Sequence, residues 1–316
     1  MACCLAALLL FFAPSGLRAQ TGVAATVGDQ DIRVERLQLQ VELVLARTPA
    51  EGQKLEIIKA QVLEENIKQR LVNIYLQQSK FKATSAEVEL ELSNLKRELV
   101  EGNSSFEKYL EKRNISEQQL KQSLGWDIAW SKYLDNFLTE KNLARYFQQH
   151  QARFDGTELR VAHILIKPED ESSDADWKTS YQQAQKIYED LKSKKISFQQ
   201  AVIEHSSGAT KINRGDLGWI NWRGPMAPRF TRAAFELKQD EISQPVQTTF
   251  GFHLIQLQEI KPGKIRLEDT RPQVVQSVKR YLFEWLARKQ AETTAVKFSG
   301  AYPYFEPGTR TLGKLK

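Results

Sequence analysis

The stretch LRVAHILIK, residues 159–167, marks the point where the sequence changes from a helical pattern to a β-rich one. Its branched apolar residues predict a short buried strand. Upstream, residues 51–80 carry apolar side chains at spacings of mostly three and four, which predicts a long helix. Downstream, the pattern predicts two helices, a glycine-rich loop, a third helix and a final hairpin, an order typical of a small α/β domain.

Four helix starts show the capping-box pattern. In this pattern a hydroxyl at the helix start accepts from a free backbone N–H, and the side chain three residues later reaches back. The pairs are Thr84 with Glu87, Ser104 with Glu107, Ser116 with Gln119, and Ser197 with Gln200. The first three predict further helices before the β-rich region, and the fourth predicts the second helix after it.

The last part of the chain, from Ile265, returns to a helical pattern and ends in a strand-like run. Its predicted apolar face consists of Val275, Val278, Leu282 and Trp285. Because a lone helix and strand cannot bury their apolar faces, we expect them to pack on the N-terminal helices, with residues 295–298 beside residues 23–27. The sequence therefore predicts an α+β fold: a helical body from both ends of the chain with an inserted small α/β domain, an antiparallel sheet with surrounding helices.

A secretory signal is predicted at the start of the chain, which reads MACCLAALLLFFAPSGLRAQ. The apolar run is too short for a permanent membrane helix, and small residues near its end favour cleavage after Ala19. We therefore expect export without stable membrane insertion, to a periplasm or to the outer side of the cytoplasmic membrane. A buried N-terminal helix is the alternative, and a lipid anchor is disfavoured because Cys3 and Cys4 precede the apolar run.

The composition excludes several kinds of site. Both cysteines of the 316 residues lie in the predicted signal, so the mature chain has no disulfide, no catalytic thiolate and no cysteine-bound zinc. The formal net charge of +6 is spread along the chain without a basic stripe interleaved with aromatic residues. We therefore expect no nucleic acid partner, although acidic clients or anionic surfaces fit the charge.

The middle of the chain resembles the parvulin-type peptidyl-prolyl cis-trans isomerases. The resemblance rests on RVAHILIK, RGDLGW, RGPMAPRFTRAAFEL and ISQPVQTTFGFHLIQL, which follow in that order at family-like spacing. The layout of the whole chain is similar to the exported foldases of the SurA and PrsA class. The resemblance implies a signal peptide (1–19), a helical chaperone domain (20–155), a parvulin-like domain (156–263), and a C-terminal helix and strand (264–316) that pack on the N-terminal domain.

The activity implied by the resemblance needs no cofactor and no nucleophile. Rotation about an X–Pro bond breaks no bond, and its barrier of about 20 kcal/mol reflects the loss of amide resonance. An enzyme need only bind the twisted amide better than the planar forms. The implied partners are unfolded or nascent exported polypeptides that contain X–Pro bonds. The helical body would hold such clients through Phe106, Tyr109, Phe137 and Tyr146.

The resemblance also implies a set of site residues. Leu217, Met226, Phe230 and Phe250 are expected to bind the substrate, the first three around the proline ring. His163 and His253 lie on predicted strands and are expected to share a hydrogen bond, with Thr248 supplying a hydroxyl. From residue type alone, the apolar residues could equally form plain core, and the histidines could be satisfied core residues.

The loop before RGDLGW departs from the family pattern. Active parvulins usually carry a cysteine or an aspartate at the position of Gly208, so Ser207 is the candidate for that role. Ala227 stands where the family often has glutamine. The alternative function is therefore a parvulin-fold clamp with weak or no turnover. A metal or hydrolytic site built from His163, His205 and His253 is disfavoured, because no catalytic-triad motif or helical pair of histidines is present.

Overall fold

The structure is a computed structural model that describes residues 22–171, 173–306 and 312–313. It divides into two compact units, one assigned residues 1–139 with 279–316 and the other residues 140–278. The predicted signal peptide lies outside the described residues. The second unit extends beyond both predicted ends of the parvulin-like domain, at residues 156 and 263, and those predicted boundaries stay predictions.

The described part of the chain begins with two strands and continues with a run of helices. These elements are β1 (Val23–Val27), β2 (Gln30–Arg33), α1 (Val34–Leu45), α2 (Gly52–Gln78), α3 (Ser85–Glu101), α4 (Phe106–Arg113), α5 (Glu117–Phe137) and α6 (Glu140–Gln149). The β-rich region and the C-terminal segment follow. They comprise β3 (Glu158–Ile166), α7 (Asp174–Lys192), α8 (Phe198–His205), β4 (Asp216–Asn221), α9 (Pro228–Ala234), β5 (Val246–Thr248), β6 (Gly251–Lys261), α10 (Leu267–Ala291) and β7 (Val296–Phe298).

The two ends of the chain meet in the sheet of the first unit. Its strands follow the order β2-β1-β7, and β1 pairs antiparallel with β7 so that Thr26 lies opposite Lys297. The predicted pairing of residues 295–298 with residues 23–27 is therefore confirmed. β1 is the central strand of this sheet, and its side chains Ala25 and Val27 are fully buried. β7 therefore pairs with a strand that is part of the core.

Three of the four predicted capping boxes are present, at Thr84, Ser116 and Ser197. The fourth is wrong. Asn103 takes a left-handed conformation (φ 55°) after α3, and the next helix begins one residue later than predicted. Ser105, not Ser104, therefore caps α4 by accepting from the backbone N–H of Lys108.

Two predicted apolar sets differ from the structure. The buried face of α10 contains Val274, Val278, Leu282 and Leu286, whereas Trp285 is exposed. The four aromatic residues expected to bind clients are half-buried: Phe106, Tyr109, Phe137 and Tyr146. Cations cover two of these rings, since Lys96 lies 4.3 Å from the Phe106 centroid and Arg113 lies 3.8 Å from that of Tyr109. They do not form an exposed apolar surface, because side chains of their own unit already pack on them.

The second unit is a four-stranded antiparallel sheet, in the order β4-β3-β6-β5, with helices on both faces. Alternate residues of β3 and β6 point to opposite faces. Ala162, Ile164 and Leu254 pack with α7 and α8 on one face, and Val161 and Ile255 pack with α9 on the other. The sequence analysis missed β4, because the two glycines in RGDLGW favour a loop. Within the described ranges, every helix is too short or too polar to cross a bilayer.

Two glycines around β4 have similar backbone angles and different surroundings. Gly215 (φ +82°) accepts from the backbone N–H of His163 at 2.9 Å, and a Cβ there would lie 2.6 Å from the His163 carbonyl oxygen. Gly218 (φ +70°) has no atom within 4 Å of such a Cβ. Both positions favour glycine because of their backbone angles. Only at Gly215 does the close approach of another backbone segment also require glycine.

We predict that Gly215→Ala lowers the free energy of unfolding far more than Gly218→Ala. The control Gly218→Ala should cost about 1–2 kcal/mol, for the left-handed conformation alone. Gly215→Ala should cost at least about 2 kcal/mol more, because backbone atoms must move. Equilibrium urea unfolding measures both changes, and equal losses in the two variants would contradict the prediction.

Candidate functional site

The two predicted histidines form a buried pair at the centre of the second unit's sheet. His163 on β3 lies opposite Ile255, and His253 on β6 lies opposite Leu165, so the two rings are diagonal neighbours on one face. Their Nδ1 atoms are 3.1 Å apart. The side chains are 7% and 5% exposed. The predicted hydrogen bond between the two imidazoles is present.

A threonine hydroxyl lies at each end of this pair. Thr248 Oγ1 is 2.8 Å from His253 Nε2, and Thr210 Oγ1 is 3.0 Å from His163 Nε2. Thr248 was predicted, whereas Thr210 was missed. Together the four side chains make a continuous hydrogen-bonded chain, Thr248–His253–His163–Thr210. A neutral imidazole has one donor and one acceptor nitrogen, so all bonds in such a chain must run in one direction.

The distances around Thr248 favour one direction. Its Oγ1 accepts from the backbone N–H of Phe250 at 3.1 Å, and its proton can go to the Gly251 carbonyl oxygen at 3.5 Å or to His253 Nε2 at 2.8 Å. The shorter distance favours donation to His253 Nε2. In that arrangement His253 donates from Nδ1 to His163 Nδ1, and His163 donates from Nε2 to Thr210. The Thr210 proton is left to point away from the pair.

Burial keeps both rings neutral. Loss of solvation lowers the pKa of His163 to about 4. It also lowers the pKa of His253 to about 3, with a smaller contribution from repulsion by His163. At neutral pH the pair therefore acts as a set of fixed hydrogen-bonding dipoles and carries no charge.

Phe230 of α9 packs against both rings at right angles. Its centroid is 5.9 Å from that of His163 and 5.3 Å from that of His253, both edge-on. Leu217 and Met226 are half-buried members of the same apolar cluster. The structure thus places three of the four predicted substrate-binding residues in one apolar cluster, of which Phe230 contacts the histidines. Phe250 does not join them: it lies in the β5–β6 turn with 60% of its side chain exposed.

A bulge in β4 brings Leu217 to this cluster. Arg160 of β3 lies opposite Trp219, but Ala162 lies opposite Asp216, so β4 contains one extra residue over this span. Asp216 holds the bulge, because its carboxylate accepts from the backbone N–H of Gly218 at 2.7 Å and from Arg160 at 3.0 Å. The hydrogen bond from Arg160 lowers the pKa of Asp216, as does the one from Gly218.

The loop that was expected to supply Ser207 has extended backbone angles at Ser206 and Gly208. Burial alternates along it, since residues 206 and 208 are buried and residue 207 is exposed. Ser206 points inwards and accepts from the backbone N–H groups of Leu165 and Gly208, both at 3.2 Å. Ser207 is exposed, and among the described residues no hydrogen bond joins its hydroxyl to either histidine. The expected role of Ser207 stays a prediction without a supporting contact.

Gly208 is buried, and its Cα faces the histidine pair. A Cβ at this position would lie 3.2 Å from His163 Nε2. Its backbone angles (φ −74°, ψ 148°) are open to any residue, so conformation does not require the glycine. Because Gly208 has no side chain, this position supplies no side-chain group to contact His163 Nε2.

The remaining histidine of the disfavoured metal hypothesis lies at the end of a helix. His205 is the last residue of α8 and lies 3.6 Å from the Glu204 carboxylate. Among the described residues, no three His, Cys, Asp or Glu side chains are close enough together to hold a metal ion.

Comparison with known proteins identifies both parts of the chain. Residues 163–259 match the PPIC-type PPIASE domain, and residues 1–134 match the SurA-like N-terminal domain. The foldase protein PrsA of Caldanaerobacter subterraneus is 32% identical over 213 residues, which cover 66% of this chain and 60% of that protein. The chaperone SurA of Bordetella avium is 36% identical over 122 residues, which cover 39% of this chain and 23% of that protein.

A solved structure also aligns with the chain. The crystal structure of peptidylprolyl isomerase (PrsA) from Bacillus anthracis is 23% identical and covers 73% of this chain and 95% of its own, with a TM-score of 0.36. The chain spans 60% and 45% of the lengths of the first two curated PrsA relatives it matches. The two family matches show that this chain joins a SurA-like N-terminal domain to a parvulin-type peptidyl-prolyl cis-trans isomerase domain.

Proposed function

We propose that the protein is a peptidyl-prolyl cis-trans isomerase that binds X–Pro segments of unfolded polypeptides. The observation that carries the proposal is the contact of Phe230 with a fully hydrogen-bonded, neutral histidine pair. A flat aromatic wall and a deformable methionine suit a saturated proline ring. The proline ring would lie among Leu217, Met226 and Phe230, and the amide to be rotated would lie near His163 and Thr210.

The histidine pair would act by position and not by proton transfer. Both rings are neutral at working pH, and each nitrogen of the pair already has a partner. The chain of hydrogen bonds fixes the orientation of His163 and of the Thr210 hydroxyl. A fixed donor can favour the twisted amide without reorganising during the reaction.

A second function, a client clamp with little turnover, is favoured by the missing side chain at Gly208. The Cβ of a side chain there would lie 3.2 Å from His163 Nε2, and related enzymes usually supply a cysteine or an aspartate. Without it, the apolar pocket would still hold proline, but fewer polar groups would act on the amide. The two functions differ in the rate of isomerisation and not in the residues that bind.

We further propose that the protein works outside the cytosol on exported clients. The apolar start of the chain and the PrsA and SurA relatives support this placement.

Within the described residues, exposed apolar side chains of α1 and α3 are better candidates for client contact than the predicted aromatic residues. They are Leu39, Leu43, Val44, Leu90 and Val100.

The pocket is tested by Met226→Ala, with Leu237→Ala as the matched control. Both residues are half-buried members of the same apolar cluster, but only Met226 is assigned to the proline ring. Since each buried methylene contributes about 0.8 kcal/mol, Met226→Ala should lower kcat/KM about tenfold in a protease-coupled prolyl peptide assay. Leu237→Ala should leave it nearly unchanged, and equal losses in the two variants would remove the pocket assignment.

The role of position 208 is tested by restoring a carboxylate. Gly208→Asp should raise the isomerase rate, because its side chain would start 3.2 Å from His163 Nε2, where a charged acceptor interacts more strongly than a neutral group. Ser207→Asp adds the same charge one residue away on the exposed side and should not raise the rate. A rate for Gly208→Asp no higher than that of Ser207→Asp would argue against the proposal.

Protonation of the pair has a predicted pH range and sign. An unfolded histidine has a pKa of about 6.5, so between that pH and about 4 the unfolded chain binds more protons than the folded one. The free energy of unfolding should therefore fall as the pH drops through this window, by up to about 1.4 kcal/mol per pH unit for each histidine.

Nitrogen NMR of the imidazole rings measures this directly. At pH 5, His163 and His253 should both be neutral, with the proton on Nε2 of His163 and on Nδ1 of His253. Protonation of either ring near pH 6.5 would contradict the neutrality of the pair. The reverse assignment of tautomers would contradict the hydrogen-bond direction derived from Thr248.

A further inference from the structure

A polar cavity of about 660 Å³ lies within the first unit, far in sequence from the histidine pair. Its walls come from β2, α2, α3 and α5. Arg70, Asn73 and Gln77 line it from α2 at spacings of three and four, so they share one face of that helix. Gln118 and Gln122 line it from α5 at a spacing of four. The two helices thus present polar side chains to one shared pocket that opens to solvent.

The cavity wall contains a cation without an anionic partner. Arg70 donates to Gln30 Oε1 at 3.1 Å, and in the described part of the chain no carboxylate forms an ion pair with it. Burial lowers the pKa of Arg70, and repulsion by Arg36 lowers it further. The positive charge at Arg70 is therefore not neutralised by the protein around it.

Lys121, the other cation of the wall, is already paired. It forms ion pairs with Glu89 at 2.6 Å and with Glu117 at 3.3 Å. The wall also contains one carboxylate, Asp31, which accepts from the Thr26 hydroxyl at 2.9 Å. Arg70 is thus the cation of this wall that has no carboxylate partner among the described residues, and a guanidinium binds a carboxylate through two parallel hydrogen bonds.

The amides of the wall add a second feature. Asn73 is half-buried, whereas Gln77, Gln118 and Gln122 are exposed, and none of the four makes a side-chain hydrogen bond to any described residue. A carboxamide has the same donor and acceptor groups as a peptide bond, so such a wall can bond to main chain of any sequence. The volume lies in the range of sites that hold small ligands, about 300–1,000 Å³, and would accept a few residues of an extended chain.

We propose that this cavity binds a carboxylate of an extended polypeptide, with Arg70 on the carboxylate and the amides of α2 and α5 on the adjoining main chain. The site lies in the first unit and uses no residue of the isomerase site. It would let the protein hold a client by its chain end or by an acidic side chain, in segments that contain no proline.

The test measures binding of acetylated, proline-free peptides to the full-length protein by calorimetry. One peptide has a free C-terminal carboxylate, the second has the same sequence with an amidated end, and the third is amidated and has an internal glutamate. Loss of a charge-assisted hydrogen bond of about 1.5–3 kcal/mol should weaken binding of the amidated peptide about tenfold or more. Tight binding of the third peptide would assign the carboxylate to side chains, and its weak binding would assign it to chain ends.

The variants isolate Arg70. Arg70→Gln should abolish the difference between free and amidated peptides, and Arg70→Lys should retain part of it. Arg97→Gln removes the same charge from an exposed position of α3 outside the cavity and should preserve the full difference. Equal binding of the free and amidated peptides to the wild type, or an unchanged difference in Arg70→Gln, would overturn the proposal.

A second measurement does not depend on the folding of a variant. In the wild-type protein, the free-acid peptide should shift the side-chain amide resonances of Asn73, Gln77 and Gln122. Gln185 on α7, outside the cavity, serves as the internal reference. Shifts confined to the isomerase unit, or no shifts in these three amides at saturation, would exclude the cavity as the binding site.

Discussion

The antiparallel register of β3 and β6 is the constraint on which the site depends. It makes His163 and His253 diagonal neighbours on one face and so brings their Nδ1 atoms within hydrogen-bond distance. A slip of either strand by one residue would turn its histidine to the other face, which α7 and α8 already fill, and so separate the two rings. Gly251 helps to fix the register at the turn, because a Cβ there would lie 2.3 Å from the Ile166 carbonyl oxygen. No other residue could start β6 at that point without moving β3.

Much of this arrangement could be predicted because it depends on patterns with a period. The β3 and β6 runs and the capping boxes at Thr84 and Ser116 follow from alternation, spacing or local hydrogen bonds, and the pairing of β1 with β7 follows from the need to bury an otherwise isolated strand. What could not be predicted depends on side-chain contacts between segments distant in sequence. Thr210 has no sequence signal of its own, because it reaches His163 only when the turn at Gly215 folds its loop onto β3.

The serine at 207 shows why an aligned position does not by itself assign a side chain. Position 208 lies against His163, but it is a glycine. Ser207 is exposed between two buried residues, so the structure offers no contact through which its hydroxyl would replace a side chain missing from Gly208. The inward neighbour is Ser206, and its hydroxyl is already used by two backbone N–H groups. Closeness in sequence therefore does not show that one residue of this loop can take over the role of its neighbour.

In the proposed site, the polar side of the pocket would limit the rate enhancement. A thousandfold acceleration requires about 4 kcal/mol of stabilisation that appears only in the twisted amide. The apolar wall of Phe230 and Met226 would contact the proline ring in planar and twisted forms alike, so it would contribute mainly to binding. The stabilisation of the twisted amide relative to the planar forms would come from neutral donors such as the Thr210 hydroxyl. One neutral hydrogen bond contributes about 0.5–1.5 kcal/mol. Strong binding of proline with modest turnover is therefore what a neutral histidine pair beside a glycine should produce.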